Sequence, residues 1–130
     1  MILGIGIDLV EISRLERALC RWGDRLTQRL FTPEEWESCA SKARQREWSA
    51  GRLAAKEAFL KALGTGLAHG IRWRDVEILR GESGEPRIRL AGRAQEIFEE
   101  MRMTRAWLSL SHQGGFSVAV VVLEGNGHEA

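Results

Sequence analysis

The chain has no surplus of charge of either sign: 19 Lys and Arg face 18 Asp and Glu, a net charge of +1. That excludes a polyanion binder acting through its overall field, so any basic character must be local. Only two cysteines occur, Cys20 and Cys39, without CxxC or metal-ligand spacing. The expectation is free thiols in a cytoplasmic protein, not a disulfide framework. No long hydrophobic run is present. The apolar start, MILGIGIDLV, is interrupted by Asp8 and is too short to span a bilayer, which takes about 20 residues. It also lacks the basic leader and small-residue cleavage site of a signal peptide. No repeat, low-complexity tract or linker divides the sequence. At 130 residues, with 44% hydrophobic and 28% charged side chains, the composition fits one soluble domain. Its expected extent is 1–124, with 125–130 a flexible tail.

What the chain does have is a helix around which the rest is organised. Residues 48–66, WSAGRLAAKEAFLKALGTG, are dense in helix formers and free of proline. Gly64 and Gly66 suit a left-handed cap. Leu53, Phe59, Leu60 and Leu63 cover one side, and Ala54, Ala55, Ala58 and Ala62 much of the other. A helix apolar on two sides is expected between layers. Glu57 and Lys61 lie in the gap between those faces; Arg52 and Lys56 fall on the Leu/Phe side. An i,i+4 Glu–Lys pair is ordinarily a surface pair. On a packed helix, charges are costly unless they hold something. A carboxylate and an ammonium above a Gly-Thr-Gly turn have the chemistry to hold a metal and a phosphate.

Residues 2–10 alternate as a strand, with Leu3, Ile5, Ile7 and Leu9 on one face and Ile2, Gly4, Gly6 and Asp8 on the other. Two glycines on one face point to close approach of a backbone or a ligand. Asp8 shares that face; the ordinary alternative is that it caps the next helix. Residues 12–25 read as a helix with Ile12, Leu15, Leu19, Trp22 and Leu26 as the buried stripe. Arg14, Arg17, Arg21 and Arg25 recur on it at helical spacing as a cationic stripe. That suits a solvated face or an acidic protein partner. Nucleic acid fits less well, because no aromatic interleaving or binding motif accompanies the stripe.

Thr32-Pro33-Glu34-Glu35 has the form of a capping box opening a helix over 31–40, with Phe31 as its hydrophobic staple. Val76–Leu79 and Pro86–Leu90 form a hairpin, 91–102 an amphipathic helix, and Ala106–Ser111 with Phe116–Leu123 a second hairpin. The predicted order β-α-α-α-β-β-α-β-β is an α+β fold with a mainly antiparallel sheet. His112 stands at the mouth of the last hairpin, after Ser109 and Ser111. No G-x-S-x-G elbow accompanies them, which argues against a hydrolase triad.

Taken together, GIGIDLVEISR at 4–14, FTPEE at 31–35, AGRLAAKEAFLKALGTG at 50–66 and SLSH at 109–112 resemble the holo-acyl-carrier-protein synthases, the small 4′-phosphopantetheinyl transferases. The resemblance runs nearly end to end. It implies Mg²⁺-dependent transfer of the phosphopantetheine arm of coenzyme A to a serine of an apo-acyl carrier protein, with release of adenosine 3′,5′-bisphosphate. Asp8 and Glu57 are then the metal carboxylates, and Lys61 neutralises the diphosphate. Gly64, Thr65 and Gly66 permit close backbone approach. His112, Ser109, Ser111 and Arg52 line the nucleotide or 3′-phosphate side. A metal-bound water, or Glu57 acting through one, takes the serine proton. In some relatives an acidic residue follows the histidine; here it is Gln113. The larger two-domain transferases carry Asp-x-Glu, whereas Val10 holds the third position here, as in the small subgroup. Carrier proteins are acidic, so Arg14, and by spacing Arg17, Arg21 and Arg25, become their contacts. Small members are homotrimers with sites shared between subunits. The alternatives are an Mg²⁺-dependent phosphate enzyme without a carrier protein, and a non-catalytic module binding coenzyme A or a carrier protein.

Overall fold

A computed structural model describes residues 1–38 and 44–127. Its elements are β1 (Ile2–Glu11), α1 (Ile12–Trp22), α2 (Asp24–Leu30), α3 (Pro33–Glu37), α4 (Gln45–Leu63), a 3₁₀ turn (Trp73–Asp75), β2 (Val76–Arg80), β3 (Pro86–Leu90), α5 (Gly92–Glu100), β4 (Met103–Gln113) and β5 (Phe116–Gly125). The strands form two antiparallel sheets, one ordered β1-β5-β4 and one of β2-β3. The α+β class and the antiparallel pairing are as expected. The tail region is tied down further than its sequence implied: Met1 and Gly125 bond each other through their backbones, and Asn126 N–H donates to Arg102 O. Cys39, Ala40 and the last three residues lie outside the described residues.

One helix is added to the expected order. The helix expected over 12–25 breaks at Gly23, whose φ of 57° an L side chain rarely adopts. Arg25 therefore belongs to α2, and the four-arginine stripe is not carried by one helix. Ile12 and Leu15 are buried, with Leu19 and Leu26 packed at the edge of the same cluster. Trp22 is not part of the core: it is 53% exposed, with the Arg21 guanidinium 5.0 Å over its ring.

The capping box that opens α3 is present in full. Glu35 N–H donates to Thr32 Oγ1 at 3.2 Å, and Thr32 N–H donates to Glu35 Oε1 at 2.9 Å. The Phe31 ring stacks on Trp36 at 5.6 Å, which is the staple.

Helix α4 lies between layers. Its alanine side packs on the β1-β5-β4 sheet, where Ala119, Val121 and Leu123 of β5 are buried. Its Phe59, Leu60 and Leu63 join Val76 and Ile78 of β2 and Ala94 and Ile97 of α5. The helix touches the sheet so closely because β1 presents no side chain there. A Cβ on Gly4 would lie 2.1 Å from Ala62 O, and one on Gly6 would lie 1.9 Å from Ala58 O. The two strand glycines thus admit a helix backbone. The opposite face of β1 is apolar and uncovered: Ile5, Ile7 and Leu9 are 64, 59 and 60% exposed.

Candidate functional site

Asp8 follows the two cleared positions of β1 and pairs in register with buried Ala119. It therefore points at α4, where Lys61 Nζ donates to its Oδ1 at 2.7 Å and to Ile7 O at 3.1 Å. Asp8 caps no helix, since α1 has no side-chain cap. Its Oδ2 is buried with no hydrogen-bond partner. An acceptor buried in this way is costly unless it has a partner.

Glu57 stands one turn before Lys61 and is half-buried. Burial pushes its carboxyl up to about 8, a hydrogen bond to Asp8 and the Asp8 charge push the same way, and Lys61 opposes them. Asp8 correspondingly holds the Lys61 ammonium above its ordinary range. Two carboxyl groups are thus crowded together, with the exposed Lys61 ammonium bonded to one of them. Asp8 and Glu57 are the pair on this flank that could hold a divalent cation. Among the described residues no cluster of three or more His, Cys, Asp or Glu side chains offers a full protein cage. Two carboxylates with the remaining positions left to water and phosphate suit Mg²⁺.

Beyond Lys61 the helix ends at Gly64, in the left-handed region at φ 85°, and Gly66 follows at φ 58°. Added Cβ atoms there would meet nothing within 4 Å, so these glycines serve backbone conformation and leave open space beside Thr65. A groove of about 480 Å³ starts at Glu57 and runs past Leu53, Leu9 and Phe116 to Arg14.

Arg52 lies elsewhere. Nine residues before Lys61, it stands roughly 13 Å away along the helix axis at 1.5 Å per residue. Its guanidinium lies 5.2 Å over the Trp48 ring. With His112, Arg80 and Leu110 it lines a separate cavity of about 310 Å³. Ser109 pairs with Val120, which faces away from α4, whereas His112 pairs with buried Ser117. Within one protomer, then, Asp8, Glu57 and Lys61 converge, and Arg52 and His112 converge. The Arg52 group lies on the N-terminal half of α4 and the Glu57–Lys61 group on its C-terminal half, and Ser109 is on the other side of the sheet.

Sequence reasoning missed two things. Lys61 bonds Asp8 directly across the fold, a pairing that the Glu57–Lys61 spacing did not show. Lys56 has a wholly buried partner, Glu35, with Nζ to Oε1 at 2.9 Å. The available signal was Lys56 falling on the apolar side of its helix.

The fold and this carboxylate–lysine junction define a small α+β protein with a charged cluster on the flank of its central helix. The sequence pattern of the 4′-phosphopantetheinyl transferase superfamily matches residues 4–121, and the chain belongs to that family. It is 52% identical over 124 residues to the holo-[acyl-carrier-protein] synthase of Geobacter metallireducens, covering 95% of this chain and 98% of that one. The crystal structure of the Neisseria meningitidis holo-[acyl-carrier-protein] synthase superposes with a TM-score of 0.86 at 35% identity, over 95% of this chain and 99% of that one. A Bacillus anthracis holo-(acyl-carrier-protein) synthase, solved in complex with CoA (3′,5′-ADP), superposes at 0.78 and 35% identity, over 97% and 99%. No helix among the described residues is long and apolar enough to cross a membrane.

Proposed function

We propose that this chain transfers the 4′-phosphopantetheine arm of coenzyme A to a serine of apo-acyl carrier protein, giving the holo form and adenosine 3′,5′-bisphosphate. The observation that carries the reading is the buried, unpartnered Asp8 Oδ2 beside a Glu57 carboxyl raised to about 8, within reach of a lysine. Serine Oγ forms a bond to the pantetheine-side phosphorus, the anhydride P–O bond breaks, and the bisphosphate leaves. Such a reaction depends on positioning and on neutralising charge. Asp8 and Glu57 would hold Mg²⁺, which supplies Lewis-acid neutralisation of the diphosphate when bound. Lys61 is largely exposed and is free to turn from Asp8 towards the leaving diphosphate. Glu57, acting through a water, would take the serine proton.

The groove from Glu57 to Arg14 supplies an approach for the serine beside a cationic helix. Arg14, Arg17 and Arg21 are exposed on α1, with Arg25 beyond the Gly23 turn. The Arg52–His112 cavity takes the 3′-phosphate and nucleotide side, and Gly64, Thr65 and Gly66 the diphosphate side. Since these are separated along α4, a complete site drawn from neighbouring subunits of a homotrimer reconciles them. The exposed Ile5, Ile7 and Leu9 face supports such an assembly, because contiguous exposed apolar surface on this scale marks interaction sites. Ser109 falls on that face and so meets a neighbouring subunit. The exposed free thiol of Cys20 accords with a cytoplasmic setting.

Intact-mass analysis of an apo-acyl carrier protein incubated with this protein, coenzyme A and Mg²⁺, with an EDTA control, tests the reading. A metal-dependent gain of one phosphopantetheine is expected. Coenzyme A binding with no gain on any carrier protein would leave a non-catalytic binding module.

A further inference from the structure

Lys56 is a charged side chain with no exposure whose role the reaction above does not assign. Its Nζ donates to Glu35 Oε1 at 2.9 Å, Trp73 O at 3.0 Å and Val76 O at 2.5 Å. Three acceptors around one nitrogen call for three N–H donors, which is the ammonium form. Glu35 is equally saturated. Its Oε1 also accepts from Thr32 N–H at 2.9 Å, and its Oε2 accepts from Ile78 N–H at 2.9 Å. One ion pair thereby ties α4 to the start of α3, the 3₁₀ turn and β2.

The position of this pair on α4 gives it a consequence. At about 100° per residue, Lys56 lies roughly 200° around the helix from Ala58, the residue whose carbonyl meets Gly6. The helix is pressed on β1 from one side and fixed from the far side at Lys56. Glu57 is the next residue, on the flank between those two contacts. A helix pinned on opposite sides resists both rotation and withdrawal, and either motion would change the Glu57–Asp8 separation.

We propose that Lys56, through its buried pair with Glu35, is a positioning residue that sets the approach of Glu57 to Asp8. The inference rests on the reading of those two carboxylates as the metal pair. A buried pair serving stability alone would leave the metal affinity of folded protein untouched when replaced.

The test compares the full-length chain with the E35Q/K56M double variant, which avoids stranding a single buried charge. Folding is checked by circular dichroism and melting. Mn²⁺ affinity is then measured by electron paramagnetic resonance well below the melting temperature, alongside kcat and KM. The folded double variant is expected to bind Mn²⁺ at least about tenfold more weakly. Its kcat should fall by a similar factor, with KM for coenzyme A within about twofold. Mn²⁺ affinity within twofold of the unaltered protein overturns the inference, as does an unaltered protein that binds no Mn²⁺. If the double variant does not fold, Glu35→Asp decides: it keeps the carboxylate but withdraws it by one methylene. A several-fold loss of Mn²⁺ affinity is expected there, and an unchanged affinity overturns the proposal. Failure of the transferase reading would register separately, as an unaltered chain that binds Mn²⁺ and modifies no carrier protein.

Discussion

Five residues apart on α4, Lys56 and Lys61 each meet an acid, and the two meetings differ in everything but charge. Lys56 is dry, its three donors are taken, and both oxygens of Glu35 are taken as well. Burial lowers the Lys56 pKa, and the Glu35 charge opposes that shift. Lys61 is largely exposed and holds one oxygen of Asp8, while the other oxygen is buried without a partner. A saturated polar network rigidifies, and an unsaturated one is a deficit that a ligand can fill. The same helix therefore carries its scaffold on one side and its proposed chemistry beside it.

Breaking the unsaturated side should have the largest effect on turnover. Glu57→Gln keeps the shape and removes the charge that would hold a cation. Turnover should drop on the order of 10²–10³-fold, comparable to losing a principal electrostatic contact in other active sites. In EDTA the variant should still fold and melt cooperatively, but the rise in melting temperature on adding Mg²⁺ should vanish. Full activity measured by carrier-protein mass shift would remove Glu57 from the metal site.

For stability the order of the two lysines inverts. Lys56→Met leaves the Glu35 carboxylate buried and uncompensated, a loss of about 3–5 kcal/mol. Lys61→Met removes the exposed half of a pair whose acid is largely buried, and its loss should be smaller than that of Lys56→Met because water can reach the vacated side. Urea unfolding of both variants measures the contrast. Equal losses would mean that the two pairs do the same structural work. A more direct probe of the backbone contact is Gly6→Ala, whose new Cβ would fall 1.9 Å from Ala58 O. Overpacking of this kind costs about 1–3 kcal/mol and should also push α4 away from Asp8.

Glu57 gives the comparison a pH dependence. Its folded-state pKa is raised from 4.5 to about 8, so the folded state favours the protonated form. Unfolding in that window releases a proton. The stabilising contribution is thus whole below about 4.5 and is lost as pH rises through about 8. In EDTA the melting temperature should decline between those values. Mg²⁺ should restore most of it near pH 8, where the ionised pair has a cation to hold. Glu57→Gln should flatten the decline, and a slope that survives the substitution would assign it to another group.

Much of this was legible in the sequence because it followed from local rules. The Thr32–Glu35 capping box, the Phe31 staple, the left-handed Gly64 cap and the close approach at Gly4 and Gly6 each depend on residues near in sequence or on simple alternation. What was hidden needed three-dimensional pairing. Lys61 finds Asp8, 53 positions away, because Gly4 and Gly6 bring strand and helix together. Glu35 read only as a capping residue, yet its second oxygen serves Ile78 and its first also serves Lys56, contacts no spacing rule connects. The break at Gly23 was hidden by the helical recurrence of arginines on both sides of it. Trp22 read as core because helical spacing cannot tell which apolar positions the neighbouring elements reach. The outward side of β1 gave no warning either, since alternation shows two faces and not which one is covered.

The Gly23 break also separates the arginines, and that yields the smallest of the expected effects. Arg14 lines the groove that leads to Glu57, whereas Arg25 lies on α2 beyond a turn. Reversing a rim charge chiefly alters encounter and salt dependence. Arg14→Glu should raise the KM for the carrier protein by roughly three- to tenfold and weaken its sensitivity to salt, with kcat and the KM for coenzyme A held. Arg25→Glu should change the same KM by less than about twofold, because its helix does not line the groove. Steady-state assays at low and high salt separate the two. An equal effect at both positions would mean that the acidic partner spans the turn and reads α1 and α2 as one surface, and a flat KM for both would move its docking face away from these helices.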